Sequence, residues 1–250
     1  MASMDTKDST AWLRHFEDNH AGRPEPDWAG RSPFPAEVTD RLARSLAHFQ
    51  LGESGEGGTL LTEARRTWAE DPDYVAALVL FVAEEQEHAR LLECLVARFG
   101  GALVDRHWTH ACFRRLRRAL GVGFEIQTLL IAEIIGTAYY RLLRSTGDAV
   151  LRQVCELMLR DEVPHLRFHA DRIVVGQLRW SRLRRALWTA QFRLLFRAAA
   201  TAAWVDHRSA LLSVGIGRRL FMGEARGEAR RWLLARQEGA RIPSWANRKA

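Results

Sequence analysis

The chain is poor in the residues that punctuate a fold. Beyond Pro35, proline occurs only at Pro72, Pro164 and Pro243. Long stretches are therefore free of the residue that most strongly breaks helices, and a mainly helical, all-α protein is predicted. Cysteine is equally scarce. Cys94, Cys112 and Cys155 are scattered, with no Cys-x-x-Cys pair, which argues against a disulfide framework or a zinc finger and for a reduced, cytoplasmic chain. The first ten residues carry no apolar segment, so no signal peptide is expected. No run of 18 apolar residues occurs either. The nearest, residues 186–205, is interrupted by Arg193 and Arg197, and no transmembrane span is expected. Lysine is nearly absent, at Lys7 and Lys249 alone, so the net charge of +7 is carried by arginine. A basic chain can meet nucleic acid, an anionic membrane or an acidic protein. Here the arginines spread along many segments without interleaving aromatics, and nucleic-acid binding is not expected.

What is present is apolar residues at helical spacing. At 47% hydrophobic residues over 250 positions, the chain can bury a core for one large domain with added helices. Residues 1–35, rich in Asp, Pro, Gly and Trp, read as an extended arm docked through Trp12, Phe16 and Trp28. Pro35 opens a helix in which Leu42, Leu46, Phe49, Glu53, Glu56 and Leu60 share one face. The glycines at 52, 55, 57 and 58 weaken it by about 1 kcal/mol each relative to alanine, so packing or ligands must hold it. Asp71-Pro72-Asp73 starts a second helix, about 74–98, that stops at Gly100-Gly101. A shorter amphipathic stretch covers 102–120. A third helix spans about 123–144, a fourth about 149–175, and two more 181–213 and 218–237. The tail from Gly239 reads as loose. The division expected is an arm at 1–35, a central unit at 36–175, additional C-terminal helices at 176–238 and the tail at 239–250.

Two segments carry the chemistry. Glu84-Glu85-Gln86-Glu87-His88 and Asp161-Glu162-Val163-Pro164-His165 each contain Glu-x-x-His. On a helix, residues i and i+3 share a face, so a carboxylate and an imidazole reach one point. Two such motifs plus one glutamate from each of two further helices make the ligand set of a carboxylate-bridged two-metal bundle. Glu133 stands inside the apolar run Leu129–Ile135, where an unpaired charge costs several kcal/mol; a metal supplies the partner, and an arginine is the alternative. Glu53 is the preferred fourth carboxylate, with Glu56 its rival on the same face. Spacing supports the set. Glu53 and Glu85 lie 32 residues apart, Glu133 and Glu162 29, and Glu85 and Glu133 48. Two half-helices and a loop need roughly 30 residues, whereas a crossover along the bundle needs more.

These motifs resemble those of the ferritin-like di-iron carboxylate superfamily. Gly52-Glu53-Ser54 is similar to the segment around the first ligand of rubrerythrins. Glu84-Glu85-x-x-His88 and Asp161-Glu162-x-x-His165 are similar to the paired motifs of acyl-carrier-protein desaturases. The resemblance covers about residues 36–175. It implies a ferritin-like four-helix bundle, with a long crossover between the second and third helices, holding two iron ions on Glu53, Glu85, His88, Glu133, Glu162 and His165. Hard carboxylates and imidazoles suit iron, and manganese at one or both positions is compatible with the same donors. Two departures stand out: Pro164 lies within the second motif, where a kink is expected, and the helices after residue 180 lie outside the common core.

Neighbouring residues extend the reading. Thr137, four residues after Glu133, resembles the hydroxyl that di-iron oxygenases and desaturases place near this position; bonding to its own helix carbonyl is the alternative. Tyr140 is a redox neighbour or a core residue. Glu84 and Asp161 either orient the ligand imidazoles or face solvent. His169, four residues past His165, is an additional candidate ligand. His48, His107, His110 and His207 lack partners at useful spacing. The resemblance implies an O₂-dependent oxidoreductase acting on a small-molecule, acyl or aromatic substrate in a pocket lined by helix 181–213. Electrons would come from a ferredoxin or reductase, because no flavin or NAD fingerprint is present. A homodimer is among the assemblies it allows. The alternatives are a ferroxidase or rubrerythrin-like iron-handling protein, and a non-catalytic metal-binding scaffold.

Overall fold

The computed structural model describes residues 8–107, 121–177 and 180–234. Among them the chain is helical, with no strand. The helices are α1 (Ser9–His20), α2 (Ala36–Glu53), α3 (Gly58–Thr67), α4 (Pro72–Arg98), α5 (Val122–Leu143), α6 (Ala149–Gln177), α7 (Arg182–Ser213) and α8 (Arg218–Ala229), followed by a π-turn over Arg230–Leu234. Of the stretch expected at 102–120, residues 102–107 are not helical and 108–120 lie outside the described residues, as do the tail expected from 239, Cys112 and His110. Cys94 and Cys155 are unpaired.

The starts of these helices follow from local chemistry. Pro35 is the N-cap of α2. Asp71 caps α4 by accepting a bond from the Tyr74 amide at 3.2 Å, with Pro72 in the first turn, where its missing N–H costs nothing. Asp148 accepts from the Leu151 amide at 2.9 Å and closes the α5–α6 turn with a 3.0 Å ion pair to Arg98. α6 runs continuously through Pro164, which cannot donate to the Arg160 carbonyl one turn back.

α2 packs along α4 and α5 along α6, and α4 meets α6 where the two Glu-x-x-His motifs lie. α7 lies against α2 and α5, and α8 against α5. One large apolar core runs through α2, α4, α5, α6, α7 and α8. A second cluster gathers Trp12, Phe16, Tyr74, Phe81 and Phe168 under α1. α5 is the one described helix long and apolar enough to cross a membrane by composition, and 78% of its apolar window is buried inside the fold, which fits a core helix that also carries Glu133.

Two expectations need correction. Residues 9–20 form a helix, not an extended arm. Asp8 caps it by accepting from the Ala11 amide at 2.7 Å, and Trp12 and Phe16, one turn apart, are buried. Their anchoring role is as expected; the conformation is not. Second, the helix begun at Pro35 does not continue to Leu60. It ends at Glu53, and Gly57 takes a left-handed conformation (φ 63°) to start α3. A Cβ at Gly57 would lie 2.7 Å from a Val82 methyl, so both the dihedral and the packing require glycine. Gly57→Ala is expected to destabilise the protein by about 1–2 kcal/mol from the left-handed conformation, and by more if Val82 cannot yield; chemical denaturation against the parent chain measures it.

Candidate metal centre

Four helices bring one glutamate each to a shared interior region: Glu53 at the end of α2, Glu85 on α4, Glu133 on α5 and Glu162 on α6. Glu162 and Glu133 are 1% and 5% exposed, and His88 and His165 are fully buried. The donor atoms of Glu85, His88, Glu162 and His165 all lie within 4.8 Å of one another. His88 Nδ1 is 3.6 Å from Glu85 and 3.5 Å from Glu162, and His165 Nδ1 is 3.1 Å from Glu85 and 4.0 Å from Glu133. Glu53 lies close enough to Glu85, and Glu133 to Glu162, for each to raise its neighbour's resistance to ionisation. Glu53 and Glu56 are placed apart. The break after Glu53 leaves Glu56 exposed in the turn, while Glu53 turns inward and accepts a 3.3 Å bond from the Tyr140 hydroxyl.

The imidazoles are held from behind in a crossed arrangement. His88, from the first motif, meets Asp161 of the second through Nε2 at 3.3 Å. His165, from the second, meets Glu84 of the first through Nε2 at 2.8 Å. A carboxylate only accepts, so each Nε2 carries the proton and each Nδ1 faces the glutamates. Glu84 and Asp161 are thus orienting residues; both are buried, not solvent-facing. α1 and the segment after it complete this layer, which the sequence did not reveal. The Asn19 amide donates to Glu84 at 2.6 Å and to Asp161 at 3.0 Å. Arg23 pairs with the same two carboxylates at 3.2 and 3.0 Å. The Asp8 cap and the Trp12–Phe16 spacing are the sequence signals for α1; nothing in the sequence ties positions 19 and 23 to 84 and 161.

The electrostatics follow from this crowding. Burial and the neighbouring carboxylates push Glu53, Glu85 and Glu162 above the ordinary carboxylate value. Burial alone would depress His165, but the bond to Glu84 and the nearby Glu85 carboxylate outweigh it and raise its pKa well above the usual imidazole value. Burial also opposes ionisation of Asp161, yet its bond to His88 and the charge beside it hold it below its ordinary value.

A buried site of this kind needs its charge balanced, by protons or by cations. His88 Nδ1, His165 Nδ1, Glu85 Oε1 and Glu162 Oε2 are buried with no hydrogen-bond partner among the described residues, and such orphaned atoms are costly unless something occupies the space between them. Carboxylate oxygens with two imidazole nitrogens fit hard or borderline divalent ions. The residues present therefore fit a metal site.

The remaining candidates fall around this group. His169 is fully buried. Its Nε2 stands 4.0 Å from Glu133, both ring nitrogens lack partners, and burial lowers its pKa to about 4. Thr137 is fully buried and its hydroxyl bonds neither its own helix nor another described residue. Tyr140 reaches the site as well as the core; burial, then Glu53, raises its pKa so that it stays a donor. Three of the histidines left without partners in the sequence do meet. His48 stacks on His107 at 3.8 Å, and His207 lies 6.0 Å from His48. Their separation along the chain gave no periodic signal. A cavity of about 180 Å³ joins His48 and His207 to all four glutamates. No family model, curated protein or solved structure matches the chain.

Two outcomes test the geometry. Asp161→Ala and Glu84→Ala each release one imidazole, and metal affinity measured by chelator competition is expected to fall by about 10–100-fold. The second concerns pH. A group whose folded pKa is raised stabilises the fold below its unfolded pKa and loses that contribution as pH climbs through the folded value. Glu53, Glu85 and Glu162 are raised from 4.5, so the metal-free protein should lose stability as pH rises from 4.5 through their raised folded values, while cations relieve the repulsion. The gain in Tm on adding divalent metal should therefore be larger at pH 8 than at pH 5; an equal gain at both would count against this account.

Proposed function

We propose that the chain is a ferritin-like di-iron protein of the O₂-dependent oxidoreductase class, with α2, α4, α5 and α6 as its four-helix bundle. The observation that carries the reading is the set of inward-facing, unpartnered donor atoms on His88, His165, Glu85 and Glu162, flanked by Glu53 and Glu133. Support for the bundle comes from the packing of α2 on α4 and α5 on α6, and from one glutamate on each of the four helices.

Glu53, Glu85, His88, Glu133, Glu162 and His165 would hold two iron ions, with manganese compatible at either position, and His169 stands where it can add a seventh donor. Four carboxylates balance two divalent charges, so the filled site is neutral and can stay buried. Bound iron would supply one-electron chemistry with O₂. The chain's own contribution is positional. Glu84 and Asp161 fix the imidazole tautomers, and Asn19 and Arg23 fix Glu84 and Asp161. Tyr140 holds a proton at Glu53 Oε1. Thr137, with its free hydroxyl one turn past Glu133, is positioned to hold a proton or water near the centre. The apolar cavity beside the glutamates favours oxidation of an organic molecule over iron storage, since mineral growth needs no such pocket. Electrons would come from an external ferredoxin or reductase.

Protein purified from iron-replete cells should carry close to two irons per chain, and Glu133→Ala and Glu162→Ala should each lose at least one, read by metal analysis. Full occupancy in either variant would show that the ligands are misassigned. Anaerobic Fe(II) loading followed by O₂ separates the two enzyme classes: growth of a ferric mineral supports iron handling, whereas bounded O₂ uptake sensitive to Thr137→Ala supports an oxygenase.

A further inference from the structure

α7 is apolar on two opposite faces, and the fold uses one of them. Phe192, Phe196, Ala200, His207 and Leu211 point into the molecule and are buried. On the other face Leu183, Leu187, Leu194, Val205 and Leu212 are 48–70% exposed. At about 100° per residue these five fall within about 40° of arc, so they form one row. From Leu183 to Leu212 the row runs roughly 44 Å along the helix. Ala190, Ala198 and Thr201, also exposed, fill its gaps without charge. Single exposed leucines are ordinary on a protein surface, whereas a continuous row marks a place of contact.

The charge beside the row has one sign. α7 carries six arginines, Arg182, Arg184, Arg185, Arg193, Arg197 and Arg208, and all are exposed. Helical pitch puts Arg184 on one flank of the row and Arg193 and Arg197 on the other. Arg208 sits within it, where its stem can lie along apolar surface while the guanidinium reaches outward. Arg193, Arg197 and Arg208 meet no carboxylate among the described residues. The single acid of the helix, Asp206, stands 3.8 Å from His107 instead.

Such a surface needs an occupant that is apolar and anionic at once. A second copy of α7 would set arginine against arginine and offer no acid in return. A nucleic acid would satisfy the arginines through its phosphates but give the leucines nothing apolar to enter. An acidic protein would have to present a straight apolar groove of the same length with acids on both rims. A bilayer with anionic headgroups meets both demands along the whole row, with acyl chains for the leucines and phosphates for the arginines. The start of α7 leaves room for a flat surface, because residues 182–187 are all exposed and stand clear of the bundle. Just before it, the indole of Trp180 carries the Arg184 guanidinium 4.2 Å over its ring. Tryptophan beside arginine is the composition favoured at the headgroup level.

We propose that the outward face of α7 docks the protein on an anionic lipid bilayer, the helix lying in the plane of the interface with its leucine row among the acyl chains and its arginines at the lipid phosphates. The docking face is separate from the metal centre, whose ligands lie on other helices.

The test is co-flotation of the full chain with vesicles of phosphatidylcholine alone and of equimolar phosphatidylcholine and phosphatidylglycerol. Binding to the anionic vesicles should be at least about tenfold tighter, and raising salt to about 1 M, where the Debye length is about 3 Å, should remove most of that preference. Leu187→Gln combined with Leu194→Gln should weaken binding to the anionic vesicles by about tenfold or more. Arg193→Gln combined with Arg197→Gln should weaken it as well while leaving binding to phosphatidylcholine unchanged. All four positions are exposed, so helix content by circular dichroism and iron content should match the parent chain; Leu183→Gln serves should the leucine pair disturb the fold. Failure to float with anionic vesicles, equal binding to both vesicle types at low salt, or indifference to the leucine and arginine variants overturns the proposal. Sedimentation showing a dimer that the leucine pair dissolves overturns it in favour of a second copy, and tighter binding to polyglutamate or to duplex DNA than to anionic vesicles overturns it in favour of those partners. Flotation with anionic vesicles supports the docking whatever the iron content, so the two readings fail separately.

Discussion

Four carboxyl groups sharing one apolar interior are the constraint around which this molecule is organised. Like charges at such distances repel strongly where the dielectric is low, and no arginine of the described residues pairs with Glu53, Glu85, Glu133 or Glu162; the positive charge nearest them is that of His165. The arginines instead serve the layer behind, where Arg23 meets Glu84 and Asp161. Protons or metal ions must balance the glutamates themselves. Helix positions follow from this demand. α2 stops at the residue that contributes its carboxyl group, and α5 carries a glutamate through an otherwise apolar face because its partners lie opposite.

The sequence made the inner group legible because helical periodicity acts over three or four residues. Glu85 with His88 and Glu162 with His165 needed nothing more than the pitch of a helix. Glu133 was visible through contrast with the apolar residues around it, and the intervals between glutamates suggested how helices of that length would return. Where the reading went astray, local pattern continued past a tertiary decision. Leu42 to Leu60 keep a helical rhythm, but the chain turns at Gly57 because Val82 packs against it. That turn also separates Glu53 from Glu56, a choice no spacing could make.

Contacts between distant positions were not legible at all. Asn19 touches residues 65 and 142 positions away, and the bonds are between polar groups that read, in sequence, as ordinary surface residues. His48, His107 and His207 belong to different segments and meet only because α7 folds back over α2. The same packing turns an alanine-rich stretch, unremarkable as composition, into a wall whose small side chains define a space. Long-range polar contacts of this kind leave no periodic trace, so a sequence reading sees the ligands of a site far better than the residues that aim them.

The crossed grip on the two histidines has a further consequence. Each motif is incomplete by itself: the imidazole of α4 takes its orientation from an acid on α6, and that of α6 from an acid on α4. Copying either helix into another scaffold would transfer a ligand without its tautomer control. The heritable unit is thus the helix pair, and drift in one motif, even a conservative exchange of glutamate for aspartate at position 84, is felt first at the histidine of the other.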